Sequence, residues 1–559
     1  MKLPSRWITH FEKSGSLKSP RYAESIAYFK QFEKYTPYAK MVTIGISPQG
    51  RSIECIIISK NSDFTPEKVK KSGKAVVLIQ NGIHAGEIEG KDACMILLRE
   101  MLITKEKFHL LDNLVIIIIP VLNVDGHERI SPFNRPNQNG PLEMGWRTTS
   151  WNLNLNRDYM KVDTPEIRAF MQLFNSWLPD FFIDNHTTNG ADYQYHITYT
   201  LEKFSNIDKS LSKWGIQKLL PAVLKNVESK GFITGLYIQL KKDGMIESGM
   251  IDTPSDPRLS TGYTALQNRH GLLVETHSLK PFNNRVQSTL EMNTAVLEYL
   301  NTHFKHLKKL NQNADRLSRK LRILPVNFEL SGSSKPLNFK GFNAIHKNSS
   351  ITGNDVVYYS DTPKEFTIPL FDDVKTVTTI RLPKAYIIPK EFTEIIRRLE
   401  LHGVRINRFP KEKKLVVSEL SFISSTFSSK PYENHQCVKV KCKSNKKKVT
   451  FPKGTCIIHL NQRMNRVIVN LLEPEAPDSF VSWGFFNAFF ERKEYAEAYV
   501  MEPFAQKMLS SNDQLRNEFA VLMEDQTFRN DPHARLEFFY QKSPFFDQKE
   551  KKYPIYRMV

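Results

Sequence analysis

The chain has 559 residues, 40% of them hydrophobic and 25% charged, with 36 phenylalanines and 20 tyrosines. This apolar content excludes intrinsic disorder, and the length exceeds one ordinary domain, so two to four domains are expected. Lysine and arginine outnumber the acids by 79 to 59, a net charge of +20, which suits acidic partners or simply a basic, soluble surface.

The densest basic run, "KCKSNKKK" (441–448), reads as a solvated hairpin tip. With no RNA-recognition signature or zinc finger beside it, no nucleic-acid partner is expected. The longest apolar run, "LVIIIIPVL" (114–122), falls short of the roughly 18–20 residues a membrane helix needs, so no membrane partner is expected either. The opening "MKLPSRWITHFEKSG" has no apolar signal region. Cys55, Cys94, Cys437, Cys442 and Cys456 are scattered and odd in number, which fits a reducing compartment. The expected location is cytoplasmic, the alternative being a periplasmic or secreted protein whose leader has been removed.

Along the first half, "SIECIIIS" (52–59), "KAVVLIQ" (74–80), "NLVIIIIP" (113–120), "DFFIDNH" (180–186) and "GLLVETH" (271–277) read as strands. Segments 88–102, 164–177 and 207–230 carry apolar residues at helical spacing between them, and a long helix is expected over about 286–320. Near-continuously apolar strands alternating with helices predict an α/β sheet covered on both faces. From about 325 to 460 the strands become short and frequent, interrupted by a helix at 391–402, which predicts a β-rich domain. The remainder is aromatic and helical in pattern, including "FFNAFFERKEYAEAYV" (485–500). The expected divisions are 1–320 with a core of about 40–300, then 321–460, then 461–559.

Four clusters carry chemistry. "NGIHAGEIEGKDA" (81–93) places His84 and Glu87 three apart, just after a strand. With 15 histidines, about one His-x-x-Glu arises by chance, so by itself the pair reads as a structural turn ahead of half a metal site. "DFFIDNHTT" puts His186 near the C-terminal end of a strand, the edge at which open α/β sheets place their sites. Glu275 lies among Leu and Val in "GLLVETHS". A carboxylate there needs a reason, because burial without a partner is costly: it is either one half of an ordinary ion pair or a general base beside a metal. Arg147, Asn156 and Arg157 lie in "GWRTTSWNLNLNRDY" (145–159), a loop whose arginines in isolation read as solvated.

Taken in order, His-x-x-Glu, Trp-Arg, Asn-Arg, a strand-end His and a strand-borne Glu resemble the M14 zinc carboxypeptidases over roughly residues 20–300. "NHTTNGADYQY", "LLVETHSLKP", "LLEPEAPDSFVSWGFF" and "DPHARLEFFYQKSP" look like a bacterial subgroup with a long C-terminal extension. The resemblance implies an α/β, carboxypeptidase-like mixed sheet flanked by helices, followed by the β-rich domain and the helical C-terminal segment. It implies one zinc ion held by His84, Glu87 and His186, and Glu275 as the base that takes a proton from the attacking water. Arg147 would stabilise the oxyanion, Asn156 and Arg157 would hold the substrate's C-terminal carboxylate, and Tyr263 is the nearest match to a mobile substrate-binding tyrosine.

Departures accompany the match. Pancreatic members orient a zinc histidine with an aspartate where this chain has Asn154, which leaves Asp158 or Asp184 to do that work. An arginine that some members carry after the first histidine is absent around Gly86. In the segment ahead of Glu275, Asp252 or Asp256 would favour a basic C-terminal residue and Arg258 an acidic one. The leading expectation is a zinc metallocarboxypeptidase acting on peptides. Its rivals are a zinc deacylase or amidohydrolase for a carboxylate-bearing small molecule or cell-wall peptide, and a catalytically inactive binding protein. The sequence says nothing of oligomeric state.

Overall fold

The computed structural model describes residues 3–558. In the first half, nine strands form: β1 Ala39–Ile46, β2 Ser52–Ile58, β3 Ala75–Gln80, β4 Leu114–Ile119, β5 Phe181–Thr188, β6 Ile197–Leu201, β7 Thr234–Leu236, β8 Met250–Ile251 and β9 His270–His277. Eight of them build one sheet in the order β1-β2-β4-β3-β5-β9-β6-β7. The centre, β4-β3-β5-β9, is parallel, while β1-β2, β2-β4 and β9-β6 are antiparallel. The fold is therefore α/β with a mixed sheet.

The apolar runs explain the centre. Every residue of β3, β4 and β5 is buried, which requires cover on both faces and matches strands written as continuous Val, Ile and Phe. Helices Glu89–Leu102, Pro165–Trp177 and Phe282–Ser318 supply cover close to the expected spans. Pro165–Trp177 starts where Thr164 caps it and proline takes the first turn, a position at which the missing N–H costs nothing.

The second half adds β10 Ile323–Leu330, β11 Lys335–Asn348, β12 Asp355–Phe371, β13 Val374–Arg381, β14 Ala385–Ile388, β15 Asn407–Arg408, β16 Lys413–Phe427, β17 Val438–Phe451, β18 Cys456–His459 and β19 Tyr556–Met558. β11 with β12 and β16 with β17 are long antiparallel hairpins. β8 extends the first of these, and β19 returns from the end of the chain to pair with β14 and β16. One hydrophobic cluster runs from Trp7 through the central sheet to Leu324, Ile388, Leu399, Val467, Phe486 and Ile555. Apolar core thus crosses both of the divisions drawn at 320 and 460.

The helix expected over 485–500 does not form. Asn487–Phe490 is a single short turn and the next helix starts at Ala498. Phe486 and Phe489 pack against Phe392, and Phe490 against Phe422, so tertiary aromatic contacts set this backbone instead of helical periodicity. Among the described residues no helix is long and apolar enough to cross a membrane.

Candidate active site

The C-terminal ends of β3, β5 and β9 lie side by side, and they bring four of the expected residues together. His84 and Glu87 occupy the turn after β3, and His186 in β5 is the register partner of Glu275 in β9. The four are only 5%, 3%, 4% and 7% exposed, respectively. One donor atom from each of His84, Glu87 and His186 lies within 4.8 Å of the others. The Nδ1 atoms of His84 and His186 are 3.3 and 3.1 Å from Glu87 Oε2.

Each imidazole is held from behind. His84 Nε2 is 3.1 Å from Asn154 Oδ1, and His186 Nε2 is 2.8 Å from Asp184 Oδ2. Asp184 also accepts from Gln80 Nε2 at 2.8 Å and Ser260 Oγ at 2.5 Å. An acceptor on Nε2 places the proton there and turns the Nδ1 lone pair towards the donor group. Two oriented imidazoles and one carboxylate are the donor set of a catalytic zinc site, so these residues fit a zinc ion. Asn154 supplies the outer partner with an amide oxygen, and Asp184 is the acid that assists. Asp158 is instead spent on Lys161 and Thr164.

Electrostatics separate the two carboxyls. Burial alone would raise Glu87, but His84, Arg135 and His186 hold it well below the usual carboxylate range. Glu275 is pushed up to about 8, chiefly by burial, with Glu87 and Asp184 adding to the effect and His186 opposing it. Its Oε2 has no hydrogen-bond partner. Burial brings His84 down to about 4, whereas Asp184 raises His186 against the effect of burial.

A cavity of about 910 Å³ opens from this cluster, and His84, Glu87, Arg147, Asn156, Arg157, His186 and Glu275 all line it. Arg147 Nη1 donates to Glu87 Oε1 at 3.2 Å with its side chain 42% exposed. Asn156 Oδ1 accepts the Ser260 N–H at 3.0 Å, which leaves its amide nitrogen for the cavity.

Tyr263 is not part of this site. Helix Ser260–Leu266 turns it into the core, fully buried, with its hydroxyl 2.7 Å from Gln267 Nε2 and 2.9 Å from His402 Nδ1. Tyr237, just past β7, lines the cavity instead, and the charge of Glu275 is the main cause that raises its hydroxyl to about 12. Asp252 and Asp256 also line the cavity, but Asp252 is paired with Lys203 at 2.7 Å. Arg258 does not line it, being held by Asp478 at 2.8 Å and lying over Trp483.

Arg135 escaped the sequence reading. Its Nη2 donates to Glu87 Oε1 at 2.8 Å, and the side chain crosses Gly86, where a Cβ would meet Arg135 Cγ and Cδ at 2.8 Å and Gly145 O at 2.7 Å. The bare glycine in "HAGE" is thus what admits this arginine.

Residues 25–231 match the family model for zinc carboxypeptidases of the M14 type. That match, together with the carboxypeptidase relatives, supports a hydrolase of the metallocarboxypeptidase type. The matched segment contains every expected site residue except Tyr263 and Glu275, which lie beyond it. Carboxypeptidase 2 of Trichophyton rubrum is 23% identical over 453 residues, 78% of either chain, and carboxypeptidase 2 of Trichophyton equinum is 22% identical over the same span. These relatives are fungal and so do not carry the expected bacterial assignment. A metallo-carboxypeptidase from Burkholderia cenocepacia is similar over 50% of this chain and 69% of its own, at 17% identity and a TM-score of 0.37. Carboxypeptidase A from Helicoverpa armigera is similar over 53% and 74%, at 18% identity and a TM-score of 0.37.

Proposed function

We propose that the protein is a zinc-dependent carboxypeptidase that removes the C-terminal residue of peptides bearing a free α-carboxylate. The observation that carries this reading is one cavity lined both by His84, Glu87, His186 and Glu275 and by Asn156 and Arg157. His84, Glu87 and His186 would hold a zinc ion, which when bound would supply Lewis acidity for the scissile carbonyl and the attacking water.

The chain's own groups do the rest. Arg157 and the Asn156 amide bind the terminal carboxylate, which sets the scissile bond one residue inward. Glu275 in its carboxylate form takes a proton from the attacking water and returns it to the nitrogen of the leaving amine. Burial makes it the more basic of the two carboxyls, which matches that task. Arg147 directs N–H groups at the carbonyl oxygen as negative charge develops there. Since all the metal donors and the base are present, an inactive binding role has nothing in the site to support it.

The test is mass spectrometry of a peptide mixture incubated with zinc-loaded protein, half of the peptides being amidated at the C-terminus. Only free-acid peptides are expected to shorten, one residue at a time, and Glu275→Gln is expected to slow this by about 10³-fold or more. Stoichiometric zinc with no peptide shortened would sink the peptide reading and turn the search to acylated amino acids and cell-wall fragments.

A further inference from the structure

The loop joining β16 to β17 reaches Asn154 and Arg157, the second of which lines the cavity. Its tip is a two-residue turn in which the Tyr432 N–H donates to His435 O at 2.9 Å and the His435 N–H to Tyr432 O at 3.0 Å. Glu433 and Asn434 between them have φ of 49° and 65°. Asparagine tolerates that left-handed conformation, but glutamate does so at a cost that glycine or asparagine would avoid.

What the glutamate does there is visible in its contact. Glu433 Oε2 accepts the Asn154 N–H at 2.9 Å. Asn154 is the residue whose amide oxygen meets His84 Nε2 and accepts the Asn156 N–H. Beside it, the Tyr432 hydroxyl accepts from Arg157 Nε at 3.1 Å, while Arg157 Nη1 is turned onto the Asn156 carbonyl at 2.7 Å. Two guanidinium nitrogens are therefore fixed, and among the described residues Nη2 has no protein partner. The loop is itself anchored. Tyr432 stacks on Trp483 with ring centres 5.9 Å apart at 12°, and His435 Nε2 lies 2.8 Å from Asp163 Oδ2.

We infer that Tyr432 and Glu433 are positioning residues of the substrate-carboxylate site, the hydroxyl fixing the Arg157 guanidinium and the carboxylate fixing the Asn154–Asn156 backbone. The C-terminal half thereby completes the clamp for a free α-carboxylate. This rests on the reading of Asn156 and Arg157 as carboxylate ligands. Tyr432 and Glu433 touch no reacting atom, so they govern how well substrate is held more than how fast it turns over.

The test compares the zinc-loaded full-length parent with Tyr432→Phe, which keeps the ring on Trp483, and with Glu433→Gly, which relaxes the turn. Each is assayed on free-acid peptides and, carried in the Glu275→Gln background so that ligand is not hydrolysed, titrated calorimetrically with an N-blocked dipeptide acid and with its C-terminal amide. Affinity for the acid is expected to fall and KM to rise about three- to tenfold in both variants. Values of kcat are expected to stay within about twofold, with amide binding unchanged. Glu433→Gln keeps an acceptor in place and is expected to restore most of the affinity. Melting temperature is expected to hold in Tyr432→Phe and to hold or rise in Glu433→Gly, because glycine removes the backbone strain. Parental affinity and KM in both variants would overturn the inference, as would losses that follow only a lowered melting temperature. If the parent binds acid and amide equally, the carboxylate reading of Asn156 and Arg157 fails instead, and the parent alone shows it.

Discussion

The two ends of the cavity are built differently. At the metal end, His186 and Glu275 stand on neighbouring strands in register, and His84 and Glu87 follow directly after a third. All four are buried. At the carboxylate end, Asn156 and Arg157 sit in a three-residue turn, Leu155–Arg157, and their neighbours Tyr432 and Glu433 come from a loop 275 to 279 residues further along the chain. Strand ladders fix backbone position by hydrogen bonds on both sides, so a side chain on them inherits its place. A loop residue has no such frame, and its position depends on contacts made from elsewhere. On the proposed reading, the base and one metal donor stand on the sheet, the other two donors follow a strand end, and carboxylate recognition falls to a loop that distant sequence must hold.

Perturbing the metal end should have the largest effect. His186→Ala removes one of the three donors and leaves Glu87 with His84 as its one close imidazole, so loss of bound zinc and of all measurable turnover is expected, read by metal analysis and peptide assay. Asp184→Asn spares every donor and weakens only the support of His186. A loss of about 10–100-fold in zinc affinity is expected by competition titration. Equal losses from the two substitutions would show that the metal end depends on its outer partners as strongly as the carboxylate end does, and the contrast would fail.

The carboxylate end should respond more mildly. Arg157→Lys keeps the positive charge but not the planar fork, and KM for free-acid peptides is expected to rise about 10–100-fold with a smaller change in kcat. A fall in kcat with KM unchanged would place Arg157 in the chemistry and not in recognition.

The smallest effect concerns the support beneath that end. Glu166 opens the helix that follows the Asn156–Asp163 loop. It is buried, neither carboxylate oxygen has a partner, and burial, reinforced by Asp125 and Asp158, pushes its pKa up to about 7. The unfolded chain would release that proton near the ordinary value of about 4.3. Between these values the folded state binds more protons than the unfolded one, so stability falls as pH rises through that window. Glu166→Gln is therefore expected to be nearly neutral at pH 4 and to stabilise by about 1–3 kcal/mol at pH 8, read as melting temperature against pH. A stabilisation independent of pH would show that Glu166 is not the group that titrates.

Much of the metal end could be read in advance because its signals are local. A short, β-branched run such as "LVIIII" reads as a buried strand, and residues at the C-terminal ends of parallel strands fall at one edge of the sheet. Asp184 was already a candidate, with Asp158, for the outer acid that Asn154 does not supply. Tyr263 was misplaced because spacing ahead of Glu275 does not reveal that 260–266 coils into a helix with the ring inward. Tyr237 lay just past a short, weakly patterned strand that gave no cue. Arg135 had no signal either, since "FNRPNQNG" looks like any polar loop until its side chain is seen crossing Gly86.

The zinc donor set was legible only through the order of motifs shared with the M14 zinc carboxypeptidases; from its residues alone this chain determined the α/β sheet and the change to β-rich texture past about 325. Those follow from periodicity and from the cost of burying polar groups, which act over a few residues. Only the tertiary structure decided which arginines face Glu87, which tyrosine lines the cavity, and that a hairpin tip from the C-terminal half holds Arg157. Each of those contacts joins residues tens to hundreds of positions apart, and chain folding alone sets distances of that kind.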